Sequence, residues 1–110
     1  MKYRFVYITC SNQEEAAKIG KHIVQERLAA CANIIPTMQS IYWWEGKVEE
    51  DQETVLVAKT SKKKFPELME AVRELHSYDV PCIISLPIKK GNPAYLNWIN
   101  SSLQHPEKES

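Results

Sequence analysis

The sequence predicts one α+β domain over residues 1–110, with an antiparallel sheet and two helices packed on one of its faces. A chain of 110 residues suits a single domain that buries one modest core. Runs of β-branched and aromatic residues alternate with runs whose apolar residues recur at helical spacing. The resulting order, β-α-β-β-α-β with an extra C-terminal helix, closes most simply as a ferredoxin-like sandwich.

The first strand and helix lie at the start of the chain. Residues 3–10 are mostly β-branched and aromatic, which predicts a strand. Asn12 with Glu15 three residues later is typical of a helix N-terminus. Apolar residues at helical spacing then predict an amphipathic helix over about residues 13–28. Gly20 disfavours that helix by itself, and it indicates a close contact between the helix and the sheet.

The middle of the chain predicts a hairpin. Residues 31–44 are mostly extended, and Pro36 indicates an edge or a bulge because proline cannot donate to a sheet ladder. Residues 45–47 predict the turn, and residues 48–51 are polar. The third strand is predicted over residues 53–60.

The last part of the chain predicts a helix, a strand and a short helix. Apolar side chains recur every three or four residues from Phe65, and Pro66 fits the first turn. Residues 82–88 predict the fourth strand. Pro93 begins a third helix, and residues 104–110 are expected to fray.

Apolar runs on three strands predict assembly with another copy of the chain. Residues 5–8, 55–57 and 83–84 are continuously apolar rather than alternating, which is typical of strands buried on both faces. One domain of this size has too few helices to cover both faces, so other copies of the chain are expected to cover the second. The aromatic run 42–44 on the long second strand is expected to pair with a neighbour, since an unpaired edge of that length favours aggregation.

Composition excludes several classes of protein. Fourteen basic and fourteen acidic residues give zero net charge, which argues against nucleic-acid binding. The longest apolar runs are too short to cross a membrane, and the N-terminus lacks the layout of a signal peptide. Three widely spaced cysteines do not make a disulfide framework, so a cytoplasmic location is expected. The sequence has no glycine-rich phosphate loop and no nucleophile elbow, and we expect no enzyme.

Histidine and cysteine residues are the candidate metal ligands. His76 at a predicted helix end lies near Cys82 on the next strand, and the two suit copper or zinc. Alternatively, His76 caps the helix and Cys82 packs as a small apolar residue. Cys10 lies where a helix N-terminus lowers a thiol pKa, so it is a candidate reactive thiol. Cys31 is expected to be buried. The acidic run 45–53 is either a weak cation site or a solvated hairpin.

Lys59 stands on an otherwise apolar strand. A lysine inside a sheet is normally exposed at an edge or paired. Either Glu45 or Glu53 of a neighbouring subunit would be a suitable partner. Alternatively, Lys59 binds an anion in a cleft between subunits.

Five motifs resemble the CutA divalent-cation-tolerance proteins, and they occur in the family's order from about Phe5 to Trp98. The motifs are LAACANIIP at 28–36, SIYWWEGK at 40–47, KT at 59–60, HSYDVP at 76–81 and YLxWI at 95–99. The resemblance implies a ferredoxin-like protomer in a homotrimer. It also implies a role in tolerance to copper and other divalent cations, without an established catalytic activity.

The resemblance also suggests site residues. The family often has a glutamate where this chain has Cys82, which would favour softer ions such as Cu(I). The implied metal site consists of His76 and Cys82, with Cys10 as a third residue. The residues that match the family's intersubunit cleft are Tyr42, Trp44, Glu45, Glu53 and Lys59.

Two functions follow as hypotheses. The first is a metal-responsive trimer that binds copper or another divalent cation. The alternative is a trimeric signalling or scaffold protein that binds a small anionic ligand in an intersubunit cleft near Lys59.

Overall fold

The computed structural model describes residues 2–105 and contains the predicted elements in the predicted order. Of the C-terminal stretch that the sequence predicts to fray, residues 106–110 lie outside the described part. Along that part, no helix is long and apolar enough to cross a membrane. The elements are β1 (Tyr3–Cys10), α1 (Gln13–Gln25), β2 (Cys31–Trp44), β3 (Lys47–Ser61), α2 (Phe65–Leu75), β4 (Ile83–Pro87) and α3 (Pro93–Ser102).

The four strands form one antiparallel sheet in the order β2-β3-β1-β4, so β1 and β3 are central. Alternate residues of these two strands face α1 and α2, because side chains alternate across a strand. They form the main core with apolar residues of both helices. Fully buried members of this core include Val6, Ile8, Leu56, Ile19, Ile23, Leu68 and Val72. The predicted α+β fold is confirmed.

Helix α1 begins as predicted and ends earlier. The Asn12 side chain accepts a hydrogen bond from the Glu15 backbone N–H, at 2.8 Å. The helix ends at Gln25 rather than at residue 28, because Arg27 has a left-handed backbone with φ 61°. The N–H groups of Leu28 and the following residue both donate to the Ile23 carbonyl, which closes the last turn. Leu28 nevertheless lies in the core.

Gly20 brings α1 close to the sheet. A Cβ atom at this position would lie 3.3 Å from the Cβ of Ala32 on β2 and 3.4 Å from a methyl of Leu56 on β3. The close helix–sheet contact expected from the sequence is therefore confirmed. A larger side chain at position 20 would have too little room between the helix and the sheet. This explains why a residue of poor helix propensity occupies the position.

Strands β2 and β3 form a hairpin that extends far beyond the core. The sequence predicts an edge or a bulge at Pro36, and the register shift between Ile35 and Met38 gives a bulge there, on the edge strand β2. Beyond it, pairing continues to Trp44 and Lys47 around a turn at Glu45 and Gly46, whose φ values are 49° and 79°. We call residues 38–53 the hairpin arm. The overall dimensions are 57 × 31 × 22 Å.

The third strand begins at Lys47, six positions before the predicted start at residue 53. Residues 48–51 are therefore strand rather than loop. Their polarity does not end the strand, because residues 48–51 are exposed within one chain and are held by the ladder to β2. The predicted start of this strand was wrong because it relied on polar composition alone.

The sheet face opposite α1 and α2 is only partly covered, and we call it the open face. Helix α3 covers one end, where Ile99 and Leu103 pack with Ala30. Elsewhere, Ile84 and Leu86 on β4 are paired with β1 residues whose side chains point away from the core, so they lie on the open face. Their side chains are 50% and 51% exposed. Within residues 2–105, about half of each of these two side chains therefore remains uncovered.

Candidate functional site

His76 is buried at the end of α2, and both of its ring nitrogens have partners. Its Nε2 lies 2.7 Å from the Thr9 carbonyl oxygen on β1, and its Nδ1 accepts a hydrogen bond from the Tyr78 backbone N–H at 3.0 Å. A carbonyl can only accept and an amide N–H can only donate. The hydrogen bonds therefore place the ring proton on Nε2 and describe a neutral imidazole.

Three different potential ligands converge beside His76. The thiol of Cys10, the carboxylate of Glu15 and the imidazole of His76 offer ligand atoms that all lie within 4.8 Å of one another. We call these residues the Cys10 cluster. Strand β1 ends with Cys10 and α1 begins with Glu15 in its first turn, so the tight connection between the two elements brings them together. His76, at the C-terminal end of α2, approaches these two residues from the other side.

Glu15 joins the start of α1 to the segment that follows α2. One carboxylate oxygen accepts hydrogen bonds from the backbone N–H and hydroxyl of Ser11, and the other accepts from the Ser77 N–H at 2.9 Å. Burial by itself raises the pKa of Glu15. The hydrogen bonds from Ser11 and Ser77 outweigh burial and lower this pKa below its ordinary value.

The lowered pKa of Glu15 predicts a specific loss of stability in acid. A carboxyl whose pKa is lower in the folded state stabilises the fold above its unfolded pKa, and this contribution disappears as the pH falls through the folded value. We expect Glu15→Gln to unfold more easily than wild type at pH 7 and to show a weaker loss of stability below about pH 4.5. Urea denaturation at several pH values measures both effects.

The neighbouring Glu14 provides the matched control, because it is exposed and lies on the same turn of α1. Glu14→Gln should follow the wild-type pH dependence. If the free energy of unfolding fell equally steeply with decreasing pH in wild type and in Glu15→Gln, the Glu15 hydrogen bonds would not contribute to folding stability.

Cys10 is fully buried, and its thiol has a pKa raised to about 12. Burial is the largest cause, and the carboxylates of Glu15 and Glu53 add to it. These effects outweigh the helix N-terminus, which the sequence suggested would lower the pKa. At neutral pH the residue is a protonated thiol, so it does not have the properties of an activated nucleophile.

Cys82 lies apart from the Cys10 cluster. It lines a cleft together with Thr9, and Thr9 and Cys10 point to opposite faces of β1 because they are consecutive strand residues. Burial raises the pKa of the Cys82 thiol. The structure thus brings two of the predicted ligands, Cys10 and His76, together with Glu15, which the sequence identified only as part of a helix N-terminus.

The cleft lined by Cys82 has a volume of about 570 Å³ and lies between the hairpin arm and residues 78–82. Aromatic side chains form much of its wall. Tyr42 and Trp44 come from β2, Tyr7 from β1, and Tyr78 from the segment after α2. Of the residues predicted to line an intersubunit cleft, Tyr42, Trp44 and Glu53 lie here. Glu45 is at the hairpin turn and Lys59 is elsewhere on the sheet.

Two tyrosines of this cleft donate hydrogen bonds to carboxylates. The Tyr78 hydroxyl donates to Glu53 at 2.9 Å, and the Tyr42 hydroxyl donates to Asp51. The bond to Asp51 raises the pKa of Tyr42 to about 12. Burial and then Glu53 raise the pKa of Tyr78 above its ordinary value. Both phenols therefore stay neutral over the physiological range.

Lys59 lies on the central strand β3, and its side chain is on the open face. Its ammonium group donates to the side-chain oxygen of Asn33 on β2. Among residues 2–105, no carboxylate forms a salt bridge with it. Nearby, Cys31 lies 3.7 Å from the Tyr95 hydroxyl and is partly exposed, whereas the sequence suggested a buried thiol. The reason is its position on the edge strand β2, at the border of the contact with α3.

The Cys10 cluster has a donor set that suits a borderline or soft divalent cation. Sulfur, imidazole nitrogen and carboxylate oxygen are all ligands of zinc and copper. Each donor already has a proton or a hydrogen-bond partner. A bound cation would therefore replace the Cys10 proton and the Tyr78 N–H at Nδ1 of His76.

Comparisons with known proteins agree on one family. The family model described as CutA1 divalent ion tolerance protein matches residues 4–102. The divalent-cation tolerance protein CutA of Thermus thermophilus is 50% identical over 97 residues, covering 88% of this chain and 94% of that protein. Mouse protein CutA is 46% identical over 94 residues, covering 86% of this chain and 53% of that protein. The crystal structure of CutA1 from Oryza sativa matches with a TM-score of 0.91 and 43% identity, covering 96% of this chain and 97% of that one.

The four-stranded antiparallel sheet, its helices and the Cys10 cluster define a small α+β protein with a candidate cation site. The chain belongs to the CutA1 divalent ion tolerance family. It spans about half the length of some curated relatives, including 53% of the mouse protein and 55% of the chloroplastic CutA 1 of rice.

Proposed function

We propose that this protein acts in tolerance to divalent cations by binding copper or another divalent cation directly, at the Cys10 cluster. The observation that carries the proposal is the approach of three chemically different ligand atoms to within 4.8 Å. Binding rather than catalysis is the proposed activity. The raised pKa of the Cys10 thiol supports this, because a protonated thiol is a poor nucleophile.

The contacts of the cluster determine how binding should depend on pH. Cys10 ligates as a thiolate, and its pKa is raised to about 12, so cation uptake releases a proton. Affinity should therefore increase from pH 6 to pH 8. Glu15 contributes a carboxylate that is already ionised, since its pKa is lowered.

Isothermal titration calorimetry with Cu(II), and with Cu(I) under reducing conditions, tests the proposal. We expect saturable uptake of one ion per chain, lost in Cys10→Ser and weakened at least tenfold in Glu15→Gln. Cys82→Ser and His105→Gln are the matched controls, because both residues lie outside the cluster. Uptake that is lost in Cys82→Ser instead would favour the His76–Cys82 pair, and no saturable uptake would refute direct binding.

We also propose that the protein is a homotrimer and that it acts in the cytoplasm. The half-exposed Ile84 and Leu86 on the open face support assembly, as does Trp43 on the hairpin arm, which is 74% exposed. Light scattering should give three times the chain mass of 12.7 kDa. The three free thiols are compatible with a reducing compartment.

A further inference from the structure

His76 has one nitrogen lone pair that can bind a cation, and a backbone N–H already occupies it. The ring proton is on Nε2, which donates to the Thr9 carbonyl, so the free lone pair is on Nδ1. Nδ1 also lies 3.8 Å from Oε1 of Glu15, another residue of the Cys10 cluster. The Tyr78 N–H donates to Nδ1 at 3.0 Å. A cation and this N–H therefore compete for the same atom.

A second backbone N–H attaches the same segment to the cluster. The Ser77 N–H donates to Oε2 of Glu15 at 2.9 Å. Two consecutive amides thus hold the chain after α2 against two of the three proposed ligands. The His76 side chain is fully buried and Glu15 is 12% exposed, so these contacts lie inside the molecule. The position of the segment therefore depends directly on the state of the cluster.

The other side of this segment faces the hairpin arm. We call residues 77–82 the docking segment. The Tyr78 hydroxyl donates to Glu53 on the arm at 2.9 Å, and Tyr78 lines the cleft together with Asp79 and Val80. Tyr78 therefore contacts the cluster through its backbone and the arm through its side chain. A displacement of this residue reaches the surface on which copies of the chain are proposed to meet.

We propose that the docking segment is a switch controlled by the cation. A cation on Nδ1 of His76 displaces the Tyr78 N–H, and the docking segment then leaves the Cys10 cluster and its hydrogen bond to Glu53. This inference rests on the proposed binding of a cation at the cluster and adds its regulation. Because the coupling is reciprocal, every contact that holds the docking segment in place weakens cation binding.

Hydrogen exchange followed by mass spectrometry on the full chain tests the switch. The protein is compared with and without the copper ion that calorimetry shows to bind. We expect peptides that cover residues 77 and 78 to exchange about tenfold faster in the loaded protein, because both amides lose their partners. Residues 28–30 are the internal control. Their amides also donate hydrogen bonds at a connection between elements, but at the other end of the sheet, and their exchange should not change.

A matched pair of tyrosine variants tests the reciprocal effect. Tyr78→Phe removes the hydrogen bond to Glu53 that holds the docking segment in place. It should therefore bind copper about threefold more tightly than wild type. Tyr95→Phe makes the same change on α3, where the hydroxyl contacts Cys31 outside the cluster, and should bind like wild type. Both are measured at one protein concentration, and light scattering verifies that their mass is that of wild type.

The possible failures are distinguishable in the same samples. Saturable copper uptake with unchanged exchange of residues 77 and 78 would overturn the switch and leave the metal site intact. Wild-type affinity in Tyr78→Phe would also overturn the switch, since the docking segment then keeps its contact with Glu53 in the loaded protein. Absence of saturable uptake would refute the proposed function, and the switch with it.

Discussion

A variant that carries both Ile84→Glu and Leu86→Glu is expected to be a monomer of about 12.7 kDa, whereas wild type has three times that mass. Both side chains lie on the open face and are about half exposed within one chain. Burying two unpaired carboxylates in an apolar interface costs several kcal/mol, which is enough to dissociate the assembly. Light scattering at a fixed protein concentration measures the mass.

The control adds the same charge on the opposite side of the molecule. Gln13 and Gln25 are exposed at the two ends of α1, and a Gln13→Glu, Gln25→Glu double variant should keep the wild-type mass. Circular dichroism verifies that both variants remain folded. A trimeric Ile84→Glu, Leu86→Glu variant, or a monomeric wild type, would show that the open face is not the interface.

Leu56→Ala is expected to reduce the free energy of unfolding by about 2–5 kcal/mol. Leu56 is fully buried on the central strand β3 and packs against α1 opposite Gly20. The cavity left by this change cannot close easily, because the contact of Gly20 with Ala32 already holds the helix near the sheet. Urea denaturation measures the loss, at a single protein concentration since assembly adds to apparent stability.

Val80→Ala is the control for this prediction. Val80 is 76% exposed within one chain, so its truncation should change the free energy of unfolding by less than about 0.5 kcal/mol. A loss below about 1 kcal/mol in Leu56→Ala would mean that the core between α1 and β3 repacks freely.

The candidate metal ligands were only partly predictable from the sequence. His76 and Cys10 were identified from their positions at element ends. Glu15 was identified from its spacing to Asn12, and the same feature could have indicated a ligand, because the first turn of α1 directly follows Cys10. Whether Cys82 can join these ligands depends on the direction in which the side chains point. This direction alternates along β1 and depends on the exact register between β1 and β4.

The cleft was predicted less completely from the sequence. The family resemblance predicted Tyr42, Trp44 and Glu53 as cleft residues, but it did not single out Tyr7, Tyr78, Asp51 or Asp79. The acidic run on the hairpin was interpreted as a solvated tip or a weak cation site. Pairing of Ser40 with Asp51 and of Met38 with Glu53 places these carboxylates on the same face as Tyr42, and only the register reveals this.

The sequence by itself determined the order and type of the elements, the interrupted pairing at Pro36 and the close contact at Gly20. These features depend on local patterns, because side-chain periodicity, proline and glycine act within a few residues of the backbone. The tertiary structure decided which titratable groups meet. The Cys10 cluster and the acidic cleft join segments far apart in the chain, so their geometry depends on strand register and helix docking, which no local pattern encodes.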